Sequence, residues 1–268
     1  METRHRPGTP GTPGTPGTPG TSGRARAVRR APGAPHEAFR LDHEPRHPRA
    51  AVLLLHGGRA DGLSAPSRLN LPDRRMKPFG RAVRRQLPGD VVLIGSVRYR
   101  FRGWNGQAAH PVDDARRALD TLVGLVPDVP VVLVGHSMGG RAALAAAAHP
   151  AVAGVVALAP WCPPGEPVAH LSGRSLVLLH DERDTVTSAA LTWAFARRAA
   201  AAGARVGTVA MPYGGHTMLR GARAWHRLTV DATAAVLTGA PLCLAGAAVG
   251  DDGDPAGRGF RQDPHRLL

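Results

Sequence analysis

Short apolar runs separated by amphipathic or alanine-rich stretches recur along most of the chain. Each run has the length of a buried strand. The strong runs lie at 51–55, 91–94, 131–134, 152–158 and 175–179, and weaker ones lie at 38–41 and 205–211. Helical patterns fall between them, at 79–87, 113–126, 141–149, 191–202 and 217–237. Because strands alternate with helices, this pattern predicts the α/β class, with a doubly wound, mostly parallel sheet and helices on both faces.

The two ends of the chain lack this pattern. A Pro-Gly-Thr triplet repeats from Pro7 to Thr21, and several arginines follow it. No apolar segment comes after these arginines, so an export signal is not indicated. We therefore expect a disordered basic tail over residues 1–35. The Gly- and Asp-rich stretch 245–268 is also expected to be disordered, which leaves residues 36–244 as one folded domain.

The net charge is high and comes almost entirely from arginine. The 268 residues carry a formal charge of +14, and Lys77 is the only lysine. Such a charge is typical of nucleic-acid-binding proteins, but no recognition motif accompanies it and aromatic residues are few. Arginine in place of lysine, with abundant Ala, Gly and Pro, is also what a GC-rich genome produces. Nucleic acid is therefore not the expected partner.

Membrane and redox features are weak in this sequence. No apolar run is long enough to cross a bilayer, so we expect no membrane partner and a cytoplasmic location. The two cysteines, Cys162 and Cys243, indicate neither a disulfide framework nor a zinc site. No metal-ligand cluster or dinucleotide fingerprint is present, so we expect no metal and no cofactor. The sequence does not indicate an oligomeric state.

The clearest motif is Gly135-His136-Ser137-Met138-Gly139, a Gly-x-Ser-x-Gly sequence. It follows the apolar run 131–134 and precedes the alanine-rich helical stretch, which is the context that a nucleophile elbow requires. A sharp turn there lifts the serine hydroxyl above the edge of the sheet. The two glycines are needed because a side chain at either position would collide with the neighbouring strand or helix. The amides at the start of the helix point to where negative charge develops on a reacting oxygen.

Three further segments fall where the predicted strands end. His56-Gly57-Gly58 follows the run 51–55, and its glycines let the backbone turn an N–H toward a substrate. Asp181 and Asp184 follow the run 175–179. Gly214-Gly215-His216 follows the run 205–211. Ser, Asp and His thus occur in the chain order of the α/β-hydrolase triad.

These motifs give the chain a specific resemblance. Over about residues 37–239 it resembles the α/β-hydrolase-fold serine hydrolases, in particular the small carboxylesterase and dienelactone-hydrolase-like branches. The resemblance implies that Ser137 attacks a carbonyl carbon, that His216 takes its proton, and that a carboxylate orients His216. Asp184-Thr185-Val186 matches the second half of the family's Gly-x-x-Asp-x-x-Val pattern, which favours Asp184. Asp181 stands in place of the usual glycine and remains an alternative.

The resemblance also implies an oxyanion hole. Its donors would be the backbone N–H groups of Met138 and Gly58, with Arg59 as the alternative to Gly58. The short, Pro-rich segment 159–173 holds no large cap, so the pocket should be shallow and suited to small or medium esters or thioesters. The fold hosts many activities, so the substrate is not identified.

Two candidate groups border the expected site. If residues 97–102 are extended, Arg98, Arg100 and Arg102 share one face and lead to the loop that holds Trp104. An inward Arg102, or Arg100, would favour substrates that bear a carboxylate or phosphate, and Trp104 would supply an apolar wall. Arg59 is a further candidate for substrate binding. The alternative is that the arginines lie in solvent or pair with Asp113, Asp114 or Asp120.

Two other classes of function compete with an enzyme. A non-catalytic binding protein on the same fold is one, although the intact Ser, Asp and His argue against it. A basic nucleic-acid-associated protein is the other, and it would use the N-terminal tail and the arginines at 74–85. The expected partner remains a small-molecule ester.

Overall fold

The computed structural model describes Met1 and residues 36–67, 69–87 and 90–242. The predicted disordered segments, 1–35 and 245–268, lie outside these residues apart from Met1. In the described part the strands are β1 Phe39–His43, β2 Ala50–Leu55, β3 Val92–Val97, β4 Val131–His136, β5 Val152–Leu158, β6 Ser175–Asp181 and β7 Arg205–Met211. The α-helices are α1 Leu71–Gln86, α2 His110–Leu125, α3 Met138–Ala146, α4 Ala189–Ala201 and α5 Ala222–Thr238.

The strands form one sheet with the order β1-β3-β2-β4-β5-β6-β7. Strand β1 pairs antiparallel with β3, with Phe39 opposite Val97. Every other pairing in this sheet is parallel. Because β4 lies at the centre of the sheet, its carboxyl end is flanked by the ends of β2 and β5. The predicted doubly wound, mostly parallel sheet is confirmed.

Helices cover both faces of the sheet. Alternate residues of β2 point in opposite directions, and all six are buried. Leu53 joins a core with residues of α2, α3 and α4, whereas Leu54 joins a second core with residues of α1 and α5. The sequences of the central strands are therefore continuous apolar runs, because neither face of the sheet is open to water there. No helix in the described ranges is long and apolar enough to cross a membrane.

Three predicted boundaries are wrong, and one of them is the start of α5, which lies at Ala222 and not at residue 217. Helix α1 begins at Leu71, well before the predicted start at residue 79, because Pro72 occupies the first turn, where a missing N–H costs nothing. Strand β3 ends at Val97, so residues 98–102 form a loop in place of the extended segment that would put three arginines on one face.

Candidate active site

Ser137 occupies a sharp turn between β4 and α3. Its φ and ψ are 56° and −121°, a conformation that L-residues rarely adopt and that persists only where the surroundings hold it. A Cβ at Gly135 would meet the carbonyl of Gly139, and a Cβ at Gly139 would meet the carbonyl of Leu55. The two glycines of the motif therefore allow the close backbone contacts that hold the serine in this conformation, as the sequence analysis predicted.

His216 lies between Ser137 and Asp184. Its Nε2 is 2.9 Å from Ser137 Oγ, and its Nδ1 is 2.8 Å from Asp184 Oδ2. The three side chains come from the loops after β4, β6 and β7, whose carboxyl ends lie at the same edge of the sheet. The structure thus brings the three predicted triad residues into one chain of contacts: the serine hydroxyl donates to Nε2, and Nδ1–H donates to the carboxylate.

The Asp184 side chain is fully buried and well supplied with donors. Oδ1 accepts from the backbone N–H groups of Val186 at 2.7 Å and Thr187 at 3.1 Å. Oδ2 accepts from His216, and the Thr187 hydroxyl lies 3.0 Å from it. Burial by itself raises the pKa of Asp184, but these hydrogen bonds outweigh burial and hold the pKa below its ordinary value. Asp184 is therefore ionised at neutral pH and can stabilise a His216 cation.

Asp181 has a different environment. Its Oδ2 accepts from the Gly215 N–H at 2.9 Å, and its Oδ1 accepts from the Arg183 N–H at 3.0 Å. Burial raises its pKa, yet these hydrogen bonds outweigh burial and lower it. Asp181 therefore holds the backbone next to His216, while the structure brings Asp184 to the His216 ring. This geometry supports Asp184 as the orienting carboxylate.

Two hydrogen bonds hold the loop that carries His216, in addition to the contact between Asp181 and the Gly215 amide. Gly214 has φ +129°, and a Cβ there would meet the indole nitrogen of Trp225, which donates to the Tyr213 carbonyl at 3.0 Å. The ring of His136 is buried beside this loop, and its Nε2–H donates to the His216 carbonyl at 2.8 Å. Burial lowers the pKa of His136 to about 3, so this ring is neutral and serves as a fixed donor.

Met138 and Gly58 carry the two candidate oxyanion donors. The Met138 side chain fills the space where a Gly58 Cβ would stand, so the two residues are in contact. Neither backbone amide donates a hydrogen bond within the described part of the chain. Arg59 N–H, by contrast, donates to the Arg102 carbonyl at 3.0 Å. The alternative that Arg59 supplies the second donor is therefore wrong, because its amide is already used.

Comparison with known proteins agrees with this architecture. Residues 100–177, which include Ser137, match the family model described as serine aminopeptidase, S33. A solved structure of a protein of unknown function from Agrobacterium tumefaciens matches with a TM-score of 0.60 and 15% identity, over 80% of this chain and 94% of that one. The chain has the α/β-hydrolase fold.

Two further solved structures carry informative names. A thermophilic esterase from Thermogutta terrifontis, solved with propionate bound, has a TM-score of 0.57 and 16% identity, and covers 80% of this chain and 91% of its own. A serine hydrolase without lid from Xanthomonas campestris has a TM-score of 0.50 and 18% identity, and the match covers 75% of this chain and 85% of that one. No curated protein matches the sequence. The resemblance predicted from the sequence is confirmed at the level of the fold.

The segment between β5 and β6 of this α/β-hydrolase fold is short. Its regular structure is one 3-10 turn, Ala169–Leu171. The Glu166 side chain accepts from Arg141 Nη2 at 2.6 Å, and the Glu166 carbonyl accepts from Arg198 at 2.8 Å. Two helices therefore hold the segment, and the prediction of little or no cap is confirmed.

The predicted anion-binding arginines do not point inward. Arg102 is exposed, and its methylenes lie beside Gly62. Arg100 Nε donates to the buried Asp114 carboxylate at 2.7 Å, and Arg98 pairs with Glu37 at 3.3 Å. The selectivity prediction for Arg102 required an inward guanidinium, so it is wrong. The side chain of Arg59 is also exposed.

Trp104 is buried beside a residue that the sequence analysis missed. The Arg141 guanidinium lies 3.8 Å from the centre of the Trp104 ring and 4.4 Å from that of Trp161. The backbone N–H of Trp161 donates to the Ser137 carbonyl at 3.1 Å. The stack therefore lies close to the elbow and joins three segments that are far apart in sequence. The only local signal was the position of Arg141, one helical turn beyond Ser137.

Proposed function

We propose that this protein is a serine hydrolase, a carboxylesterase that cleaves a carboxylic ester or thioester of small to medium size through an acyl-enzyme. The observation that carries the proposal is the unbroken chain of contacts from Ser137 through His216 to a buried, ionised Asp184. That chain begins on a strained turn, next to two backbone amides that donate to nothing else in the described structure. A binding protein has no need of this combination.

The geometry supports the following sequence of steps. As Ser137 Oγ attacks the carbonyl carbon, its proton passes to His216 Nε2, and Asp184 stabilises the resulting cation. Negative charge develops on the carbonyl oxygen, where the Met138 and Gly58 amides can donate to it. His216 then protonates the leaving alcohol or thiol, which leaves an acyl group on Ser137. Water, deprotonated by His216, hydrolyses this acyl-enzyme and restores the serine.

The short segment between β5 and β6 favours small acyl groups. The Arg141 and Arg198 contacts hold Glu166, and the aromatic rings of Trp104 and Trp161 stand next to the elbow. A long chain would therefore lack the deep, covered channel that a cap domain provides. The name of the Thermogutta terrifontis esterase, solved with propionate, is consistent with this preference.

The test is turnover of a substrate panel by the full-length protein. The panel contains aryl esters with acyl chains from acetyl to palmitoyl, an acetyl thioester and an aminoacyl anilide, since the matching family model is named for an aminopeptidase. We expect the short esters and the thioester to be cleaved fastest. Ser137→Ala should lose at least about 10³-fold in kcat, and Ser172→Ala, a change at an exposed serine, should keep full activity.

Two results would contradict the proposal. One is a folded protein that cleaves no ester and no thioester. The other is equal activity in Ser137→Ala and wild type, which would place the chemistry elsewhere. Preference for the anilide over every ester would replace the proposed substrate class with amides.

A further inference from the structure

A second buried histidine contacts the candidate triad carboxylate from another side. His180 lies near the carboxyl end of β6 and is fully buried. Its Nε2 is 3.3 Å from Asp184 Oδ2 and 3.2 Å from the Thr187 carbonyl. Asp184 Oδ2 is thus in contact with two imidazoles: that of His216, which also reaches Ser137, and that of His180.

The surroundings of His180 select one tautomer. Its Nε2 faces the Thr187 carbonyl and the Asp184 carboxylate, which can only accept and lie closer than the Thr187 hydroxyl at 3.4 Å, so the hydrogen is on Nε2. Its Nδ1 lies 2.9 Å from the hydroxyl of Thr192, which is buried and can donate to it. In this tautomer both ring nitrogens have partners, whereas a hydrogen on Nδ1 would turn the Nε2 lone pair toward the Thr187 carbonyl and the Asp184 carboxylate.

His180 is neutral at neutral pH. Burial lowers its pKa below the ordinary value, although the Asp184 carboxylate acts to raise it. A proton on Nδ1 would need the Thr192 hydroxyl oxygen as its acceptor. That hydroxyl would then have to donate to the carbonyls of Ser188 or Pro160, which lie 3.4 and 3.5 Å away. The ring is therefore an uncharged donor at neutral pH, whereas the proposed mechanism requires His216 to gain and lose a proton.

We propose that His180 is a positioning residue of the active site: its Nε2–H donates to the Thr187 carbonyl at 3.2 Å and lies against Asp184 Oδ2, with Nε2 and Oδ2 3.3 Å apart, and so it holds the carboxylate where it accepts from His216 Nδ1–H. The carboxylate is buried, so each donor that it loses leaves its charge less well stabilised. Without His180, Oδ2 keeps His216 and the Thr187 hydroxyl, and that hydroxyl also lies 3.2 Å from the Ala159 carbonyl. His180 is therefore a third neighbour that stabilises the charge on Oδ2.

Removal of the His180 N–H should shift the acid limb of the pH–activity profile in one direction. Asp184 would bear more uncompensated charge toward His216, which raises the pKa of His216, and Asp184 itself would protonate more readily. Both effects move the acid limb of activity to higher pH, because the mechanism needs a neutral His216 and an ionised Asp184. The other titratable groups that face the pair are His136 and Asp181, which bond the His216 carbonyl and the Gly215 amide and keep these contacts in the variants.

The first test needs no activity. In the full-length protein, NMR of the histidine Cε1 resonances gives the pKa of His216 in wild type, His180→Leu and His180→Gln. We expect His180→Leu to raise that pKa by about half a unit, because the Asp184 carboxylate loses a neighbouring N–H dipole. The amide of His180→Gln reaches the Nε2 position and should restore the wild-type value. If the leucine variant does not fold, His180→Asn replaces it, because its shorter amide does not reach Asp184.

The second test uses turnover and rests on the proposed function. With active sites counted by covalent labelling, His180→Leu should lose about 10-fold or more in kcat with little change in KM, and its acid limb should move up in pH. His180→Gln should recover most of the loss. Thr192→Val is the matched control, because it removes the partner of Nδ1 and leaves Nε2 in place. It should lower stability without moving the acid limb.

The outcomes separate the two hypotheses. An unchanged His216 pKa in His180→Leu, or equal shifts in the leucine and glutamine variants, would show that His180 is a packing residue only. A pKa shift as expected, in a protein that cleaves no ester or thioester, would support the positioning role and contradict the proposed function. A Thr192→Val acid limb that moves as far as that of His180→Leu would attribute the effect to lost stability.

Discussion

Substitution of Asp184 by Asn is the change whose consequence follows most directly from the contacts. Two backbone amides, those of Val186 and Thr187, donate to Oδ1. An asparagine would keep its carbonyl oxygen there and place its NH2 group at the position of Oδ2. That group would then face the N–H on Nδ1 of His216 at 2.8 Å, so two donors would oppose each other.

His216 would escape this opposition by moving its proton to Nε2. The nitrogen next to Ser137 would then be a donor, and it could no longer take the serine proton. The loss of the neighbouring charge also removes the stabilisation of the His216 cation. Together these effects should lower kcat by about 10³ or more, with folding preserved because the side chain keeps its size and its two backbone donors.

Asp181→Asn is the matched control. It lies three residues away and is also buried, but it contacts the Gly215 amide and no ring atom of His216. We expect about a tenfold loss of kcat at most, with some loss of stability from the weakened contact. The assay is kcat for a short aryl ester, normalised by the number of sites that a covalent probe labels. A thousandfold loss in Asp181→Asn with activity retained in Asp184→Asn would refute the reasoning.

The remaining predictions concern the frame, the surface, acid stability and the tail. Gly139→Ala should abolish folding or destabilise by at least about 2 kcal/mol in chemical denaturation, because its Cβ would meet the Leu55 carbonyl; wild-type stability would contradict the elbow geometry. Arg102→Ala should change kcat/KM equally, and by less than about twofold, for a neutral ester and its carboxylate-bearing analogue, because the side chain is exposed; a selective loss for the anionic ester would restore the rejected prediction. The pKa values of Asp181 and Asp184 are lowered in the fold, so their stabilisation is complete above their ordinary pKa of about 3.9 and is lost as pH falls through the lowered values. The Tm should therefore fall steeply below about pH 4, and less steeply in Asp184→Asn. Deletion of residues 1–35 should leave Tm and turnover almost unchanged, and a loss of several degrees would show that the tail contacts the domain.

Local patterns were enough to predict the elbow and the sheet. The apolar run before Ser137 and the alanine-rich stretch after it specify a strand and a helix on their own, and the glycines between them leave one kind of turn. Chain order then identified His216 and the segment that ends β6. These features depend on neighbours in sequence, which a sequence shows directly.

The choice between similar neighbours needed three dimensions. Asp181 is the last residue of β6 and Asp184 lies three residues later, and only the path of the chain from Asp181 to Thr187 decides which carboxylate meets His216. Gly58 and Arg59 are adjacent, and a carbonyl from the loop after β3 decides which amide stays free. The end of β3 at Val97 likewise removed the alternation on which the arginine prediction depended.

Two contacts could not be predicted from the sequence. Arg141 lies between two tryptophans that come from the loops after β3 and β5. His180 and Asp184 are four residues apart, and they meet because the chain turns back at the end of β6. Neither residue belongs to a motif that states its partner, so its environment appears only when the chain is folded.

The most direct test of the account is covalent labelling of Ser137. A fluorophosphonate probe reacts with a serine only when a base and an oxyanion site activate it, and peptide mass spectrometry identifies the labelled residue. The account predicts a single adduct on Ser137 at neutral pH, absent in Ser137→Ala and strongly slowed in His216→Ala. An unlabelled but folded wild-type protein, or an adduct on another serine that persists in Ser137→Ala, would contradict it.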